Sequence, residues 1–488
     1  MAGRKEQIVG ERLRKIGELK ISGTNPYPQR FEKKNMISEC FKIDKKVKTA
    51  GRLVSKRDIG KIIFSKIQDE SGSIQVVLQE GKTKQEFIDF FKSYIDLGDI
   101  VGVSGKVIKT KTGEISILCE KLELLSKSVL PLPEKWHGLQ EKEDRYRKRY
   151  LDMIVNPEVL EVFKKKSVII DTIRGYLKKN NFTEVETPNL QAIYGGASAE
   201  PFRTHLNALD MDLFLSISPE LYLKRLIVGG FDRVFTISKN FRNEGIDATH
   251  NPEFTMMEFY CAYSNYEKLM VMTEEMLKLI FKNLKIKEEI KSGEKLIKFK
   301  FPIKRVRFWD LILEKTGIDL EKMSDFDSLK EEIERKGIKG VDISGCKHYG
   351  ALLDELYKRV VRPSIVEPIF LTHYPVEMIA LAKRNEENPR LINTFQLIVD
   401  GAELVKAYDE LNDPFDQEKR LKEQADLLCE GDREAMPMDI DFIEALKTGM
   451  PPTAGYGMGI DRIAILLTEQ ESIRDVIPFP FMKPEVED

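Results

Sequence analysis

Between Val47 and Leu125, apolar residues alternate with polar ones in short runs broken by turn residues, and this period of two predicts strands. The runs fall at Val47–Ser55, Lys61–Gln68, Gly72–Leu78, Ile100–Lys109 and Ile115–Leu125. Asp69-Glu70-Ser71-Gly72 and Lys111-Thr112-Gly113 mark turns, and Lys84–Ile95 has helical spacing. Five strands with one intervening helix fit a small barrel. Ahead of them Ile8, Leu13, Ile16 and Leu19 recur at helical spacing, which predicts an exposed amphipathic helix over Arg4–Lys20.

Leu130-Pro131-Leu132-Pro133 reads as a stiff linker, and the pattern changes beyond it. Asn156–Asn180 is helical in period, and Phe182–Pro188 reads as a strand ended by proline. Strands are expected at Leu213–Ile217, Val234–Ser238, Glu253–Ala262, Thr394–Val399 and Glu403–Glu410, with a hairpin turn at Asp400-Gly401. Tyr266 to about Asp354 is charged and mainly helical, and reads as an insertion. Strand follows strand without regular helical crossovers, so an antiparallel sheet flanked by helices is expected. The chain thus reads as α+β: a helical extension over 1–45, an all-β five-stranded barrel such as the OB-fold over 46–128, a linker over 129–150, and a sheet domain over 151–488.

At 488 residues, more than one core is required. No apolar run approaches about 18 residues, which argues against a membrane span or a signal peptide. Five scattered cysteines without a CxxC pair point to reduced thiols in a cytoplasm. A net formal charge of −2 hides an asymmetry: through Ser128 there are 26 Lys and Arg against 17 Asp and Glu, and beyond it 52 against 63. Two readings of the basic first quarter stand, a polyanion partner or a solvated lysine-rich surface.

In the strand Glu253–Ala262, alternation puts Phe254, Met256, Glu258 and Tyr260 on one face and Thr255, Met257, Phe259 and Cys261 on the other. The second set suits a core. The first, an aromatic plate with a carboxylate and a phenol, suits a ligand floor or a partly exposed sheet face. Two arginines, in Phe241-Arg242-Asn243-Glu244 and in Gly455-Tyr456-Gly457-Met458-Gly459-Ile460-Asp461-Arg462, stand where a planar fork of donors could clamp oxyanions. The glycine run has neither Rossmann nor Walker spacing; it precedes a helix-like segment and lets backbone approach a ligand closely.

These two stretches resemble motifs 2 and 3 of class II aminoacyl-tRNA synthetases. With Gly195-Gly196-Ala197-Ser198-Ala199, Ser218-Pro219-Glu220-Leu221-Tyr222-Leu223-Lys224-Arg225, Asn251–Tyr260 and Glu410-Leu411-Asn412-Asp413-Pro414, the resemblance narrows to the class II lysyl-tRNA synthetase family. It implies that Arg242 bridges the α-phosphate of ATP and the amino-acid carboxylate, with Glu244, His250, Phe254, Glu403 and Arg462 also at the nucleotide. It implies L-lysine held by Gly196, Glu220, Glu258, Tyr260 and Glu410, with Glu410 and Tyr260 at the ε-ammonium. Mg2+ is implied near Glu403, with Glu410 and Gln396 as further candidate ligands. In the barrel, Phe64 and Gln75 match anticodon-reading positions, which implies tRNA(Lys) as partner with Arg52 and Arg57 on its backbone, although Phe64 also fits a barrel core. A homodimer is implied, with its interface near Pro188.

Three positions depart from the family. Gln396 stands where a second metal-binding carboxylate is expected, Lys406 where asparagine is usual, and Glu200 where arginine is usual. Lineage variation and a changed substrate both explain them. Glu403 and Glu410 lie seven apart, on opposite faces of a regular strand, so a shared site demands a bulge or bend. Rival readings are an aspartyl- or asparaginyl-tRNA synthetase and a catalytically degenerate RNA-binding paralogue.

Overall fold

The computed structural model describes residues 2–133, Leu139 and 141–484. The chain divides into two compact units, one of Met1–Arg145 with Tyr150–Val155 and one of Tyr146–Arg149 with Asn156–Asp488. The expected linker falls partly outside the described residues.

The first unit is built on β1 (Lys46–Asp58), β2 (Ile62–Asp69), β3 (Gly72–Gln79), β4 (Ile100–Lys109) and β5 (Ile115–Ser126), closed in the order β1-β2-β3-β5-β4. Closure comes from the parallel pairing of β3 with β5. The helix Gln85–Tyr94 buries Ile88 and Phe91 in the barrel core with Ile63, Ile67, Val103 and Ile117. The N-terminal helix, Ala2–Ile21, is not free as expected. Leu19 is buried with the barrel core, and Arg12 donates to the carbonyls of Leu97, Ser128 and Leu130. A buried guanidinium can be accommodated there because three carbonyls receive it.

The second unit carries β6 (Thr183–Glu184), β7 (Leu190–Gln191), β8 (Arg203–Leu206), β9 (Met211–Leu215), β10 (Arg233–Phe241), β11 (Glu253–Ala262), β12 (Glu289–Ser292), β13 (Lys295–Lys298), β14 (Lys304–Arg307), β15 (Ile369–Thr372), β16 (Thr394–Val399), β17 (Ala402–Asp409) and β18 (Thr453–Gly459). Eight of them form one sheet, β14-β15-β16-β17-β18-β11-β10-β6, antiparallel except at the β14–β15 and β10–β6 pairs. The strand expected over Phe182–Pro188 is only the two-residue β6.

The segment expected as an insertion is woven into this domain. Its helix Tyr266–Leu284 buries Leu269, Met276, Leu277 and Ile280 in the same core as Phe259 and Tyr456, and β14 forms an edge of the large sheet. Its charge sits on the helix's outer positions, which is why composition alone suggested an appended module. One sheet face is thereby filled with apolar side chains, among them Met257, Phe259, Phe395, Val405, Ala407 and Met458. The opposite face lines a cavity.

Candidate active site

The cavity has a volume of about 480 Å³ and is floored by β11, β17 and β18. Phe254, Met256, Glu258 and Tyr260 line it, while Met257, Phe259 and Cys261 lie in the core behind. The alternation read from β11 thus separates ligand face from core face.

Arg242 follows the end of β10, and its backbone N–H donates to the Pro252 carbonyl at 2.9 Å, so the ladder to β11 runs one step past the strand. Its guanidinium lies 5.1 Å from the Phe254 ring centroid, a cation–π distance. Burial lowers its pKa, and the nearby charge of Arg462 lowers it further; Glu244, Glu258 and Glu403 oppose this. Arg462 lies in the first turn of the helix Ile460–Leu467. Its Nη1 donates to the Glu403 carbonyl at 3.0 Å, and its Nη2 approaches His250 Nε2 at 3.4 Å. His250 Nδ1 is 2.9 Å from Asp247, which suits an Nδ1–H tautomer whose Nε2 accepts from Arg462. Arg242, Arg462, Glu244, His250, Phe254, Glu403, Gln396 and Lys406 all line this one cavity.

The bulge demanded by Glu403 is present. Leu397 pairs with Val405 and Ile398 with Glu403, which leaves Leu404 as the extra residue on β17. Gln396 pairs with Lys406, so the bulge brings Glu403 to the face that carries Gln396, Lys406 and Tyr408.

At the other end of the cavity, Ser218 Oγ donates to Glu258 at 3.0 Å, and the Tyr408 hydroxyl lies 2.9 Å from both Glu220 oxygens. Burial, then the Glu220 charge, raises the Glu258 pKa to about 8. Burial likewise raises Tyr260 and Tyr408 well above the usual phenol value. Gly196, at φ +86°, passes so close to Glu220 that a Cβ there would fall 2.8 Å from the Glu220 Cβ.

Glu410 needs a correction. It does not line the open cavity beside Glu403; its carboxylate is buried under Gly455, with Oε2 paired to the Lys224 ammonium. An ammonium neighbour is the wrong company for a metal ligand, so its expected metal role is withdrawn. Neither Glu410 oxygen accepts a well-aligned hydrogen bond among the described residues; Oε2 has the Lys224 ion pair, and Oε1 lies 1.9 Å from where a Cβ on Gly455 would be. A buried carboxylate oxygen without a donor is costly, and a cationic donor would satisfy it.

Sequence reading missed Lys224 and Tyr408 as partners of the carboxylates. The i, i+4 spacing of Glu220 and Lys224 was a usable signal, as was the shared strand face of Lys406 and Tyr408. Tyr374, which donates to Gln396 Oε1 at 2.6 Å, carried no sequence signal. Glu200, one of the three departures, lies 3.9 Å from Arg433 and accepts the Asn243 N–H through its carbonyl.

In the barrel, Phe64 is half-buried on the outer face, whereas Ile63, Ser65 and Ile67 point inward, which removes the core reading. Phe64 pairs with Arg57 and Lys66 with Gln75, so Phe64, Arg57 and Gln75 share that face. Arg52 Nη1 donates to the Gly98 carbonyl at 2.7 Å, and Gln75 bonds Glu114 and Ser116.

Residues 141–483 match the family described as tRNA synthetases class II (D, K and N), and residues 47–125 match an OB-fold nucleic acid binding domain. The second unit is therefore a class II tRNA synthetase domain. Among curated relatives, a lysine–tRNA ligase of Carboxydothermus hydrogenoformans is 45% identical over 98% of this chain and 98% of its own length. That of Thermotoga maritima is 45% identical over 97% and 96%, and that of Aquifex aeolicus 48% identical over 92% and 75%. The chain belongs to the lysine–tRNA ligase family, and so to the aminoacyl-tRNA ligases.

Proposed function

We propose that the chain is a lysyl-tRNA synthetase, which activates L-lysine with ATP and transfers the lysyl group to the terminal adenosine of tRNA(Lys). The carrying observation is a single cavity with two arginines at one end and the carboxylates of Glu220 and Glu258 at the other, with the buried Glu410 carboxylate just behind Gly455. A lysine zwitterion has that polarity: a carboxylate for the arginines and two ammonium groups for the acids.

In the first step a lysine carboxylate oxygen attacks the α-phosphorus, the bond to the β-phosphate bridging oxygen breaks, and pyrophosphate leaves. In the second, the ribose hydroxyl attacks the acyl carbon and AMP leaves. Neither step needs a protein nucleophile. Arg242 would hold the carboxylate and the α-phosphate together and stabilise the charge that builds between them. Arg462, kept in place by the Glu403 carbonyl and His250, would face the outer phosphates. Phe254 would offer a plate to adenine, with Glu244 nearby.

Glu403 offers one carboxylate to a hard cation, and the Gln396 amide oxygen is already engaged by Tyr374. No cluster of three His, Cys, Asp or Glu side chains among the described residues could hold a metal alone. Glu403 would hold one Mg2+ brought with ATP, and the engaged amide of Gln396 does not suit a second. That ion, when bound, would neutralise phosphoryl oxygens. Lys406, opposite Gln396, would add a fixed positive charge toward the same oxyanions.

The outer barrel face with Phe64, Gln75 and Arg57 would take unstacked anticodon bases, and Arg52 would support the backbone. No helix among the described residues is long and apolar enough to cross a membrane. The reading includes a cytoplasmic homodimer, in which Leu190 and Ile193, exposed just after Pro188, would be covered.

The test is ATP–pyrophosphate exchange with a panel of amino acids, followed by aminoacylation of tRNA. Exchange with lysine alone supports the reading. Exchange with aspartate or asparagine moves the chain to those specificities, and none at all leaves the degenerate paralogue.

A further inference from the structure

Lys224 lies on the helix Glu220–Val228 and is completely buried. Its ammonium donates to Glu220 Oε1 at 2.7 Å and pairs with Glu410 Oε2. The rings of Tyr408 and Phe442 stand 5.9 and 5.8 Å away. Burial alone would push the ammonium toward neutrality; Glu220 and Glu410 outweigh it and keep the group charged. A buried ion-pair cluster seldom stabilises a fold better than packed apolar side chains replacing all its members. Beside Tyr408 and Phe442, apolar residues in place of Glu220, Lys224 and Glu410 together would serve packing as well, so stability does not account for the cluster.

Charge does. Glu220 and Glu258 line this end of the cavity with Glu410 buried behind it, and among the described residues Lys224 is the one cation ion-paired with any of the three. When bound ammonium groups hold all three acids ionised, three acids less one ammonium leave two negative charges. A diamino acid brings two ammonium groups, and its carboxylate is left to Arg242. Lys224 also ion-pairs Glu410 through Oε2, on the side away from Oε1, the oxygen nearest Gly455.

We propose that Lys224 is a specificity-determining positioning residue: a built-in counter-ion that sets the net charge of the amino-acid pocket to match a substrate with two ammonium groups and aims Glu410 at the distal one. This rests on the lysine-activating reading above. Without Lys224, three acids share an apolar enclosure. Burial already raises the Glu410 pKa well above the ordinary glutamate value, with Lys224 as the group that opposes it; once Lys224 is gone, Glu220 and Asp409 add to the rise unopposed and Glu410 keeps its proton. A protonated acid accepts poorly from an ammonium and tolerates a methyl group.

The experiment measures kcat/KM for lysine and norleucine in ATP–pyrophosphate exchange, across pH, for the full-length wild type, K224M and the charge-balanced double variant K224M/E220Q. In K224M the lysine-to-norleucine ratio should fall at least tenfold, and the acid limb of lysine activation should lie at higher pH than in the wild type, with KM for ATP unchanged. K224M/E220Q, again carrying two net negative charges, should recover most of the lost ratio. Folded K224M with the wild-type ratio and pH profile overturns the inference. Where K224M does not fold, the double variant decides: a folded double variant without lysine preference overturns it as well. A wild type that does not prefer lysine to norleucine sinks the functional reading instead.

Discussion

Arg462 donates to the backbone carbonyl of Glu403 at 3.0 Å, tying the glycine-rich strand and its helix to the bulged strand beside it. The contact holds a charge-bearing side chain by a group that no side-chain substitution removes. It fixes the arginine before any ligand arrives, which is what electrostatic preorganisation requires.

Arg242→Ala should lower kcat for lysine-dependent exchange by about 10²–10³-fold, or about 3–4 kcal/mol, by analogy with loss of one oxyanion donor. Arg462→Ala should raise the KM for ATP more than that for lysine. Steady-state exchange kinetics with each substrate varied checks both; near wild-type exchange in the Arg242 variant refutes its role.

Gly455→Ala would put a methyl group 1.9 Å from Glu410 Oε1 and 2.6 Å from the Tyr260 ring. Neither neighbour is free to retreat, because Glu410 is held by Lys224 and Tyr260 lies in the packed floor. Lysine binding should be lost while binding of ATP alone survives, as read by calorimetry with each ligand.

Glu258 titrates near pH 8 because its charged form is costly in this enclosure. Between the ordinary glutamate value and about 8, the folded protein holds a proton that the unfolded chain has released. Stability of the empty protein therefore falls as pH rises through that window. A bound ammonium favours the ionised carboxylate and reverses the trend. The thermal shift produced by lysine should be larger at about pH 8.5 than at about pH 6.5, and Glu258→Gln should flatten the difference.

Gln396→Glu should restore a carboxylate beside Glu403 and lower the Mg2+ concentration for half-maximal exchange by roughly several-fold. Mn2+ binding to the nucleotide complex, counted by paramagnetic resonance, should rise with it. An unchanged count and an unchanged Mg2+ dependence would show that position 396 lies outside the cation's reach.

Phe64→Ala should weaken aminoacylation by about 1–3 kcal/mol in kcat/KM for tRNA, the usual worth of one stacked base. Pyrophosphate exchange should not move. Because Phe64 sits outside the barrel core, its melting temperature should change little, and a large drop would contradict that placement.

Local pattern in the sequence determined the five barrel strands, the faces of β11 and the helix at 157–179, because periods of 2 and 3.6 are written residue by residue. It also tied a bulge on β17 to the condition that Glu403 and Glu410 share a site, and the bulge that is present turns Glu403 to the face of Gln396 and Lys406. What it left open depends on separations no period spans. Arg242 meets Phe254 and Arg462 only because β18, β11 and β10 lie side by side. Lys224 reaches Glu410 across 186 positions of chain to form a buried ion pair. Tyr374 reaches Gln396 from another strand's end, and the charged segment after Tyr266 supplies a core helix and a sheet edge. Such contacts are decided by how whole elements pack, where burial sets the worth of every charge, and only the folded chain fixes that.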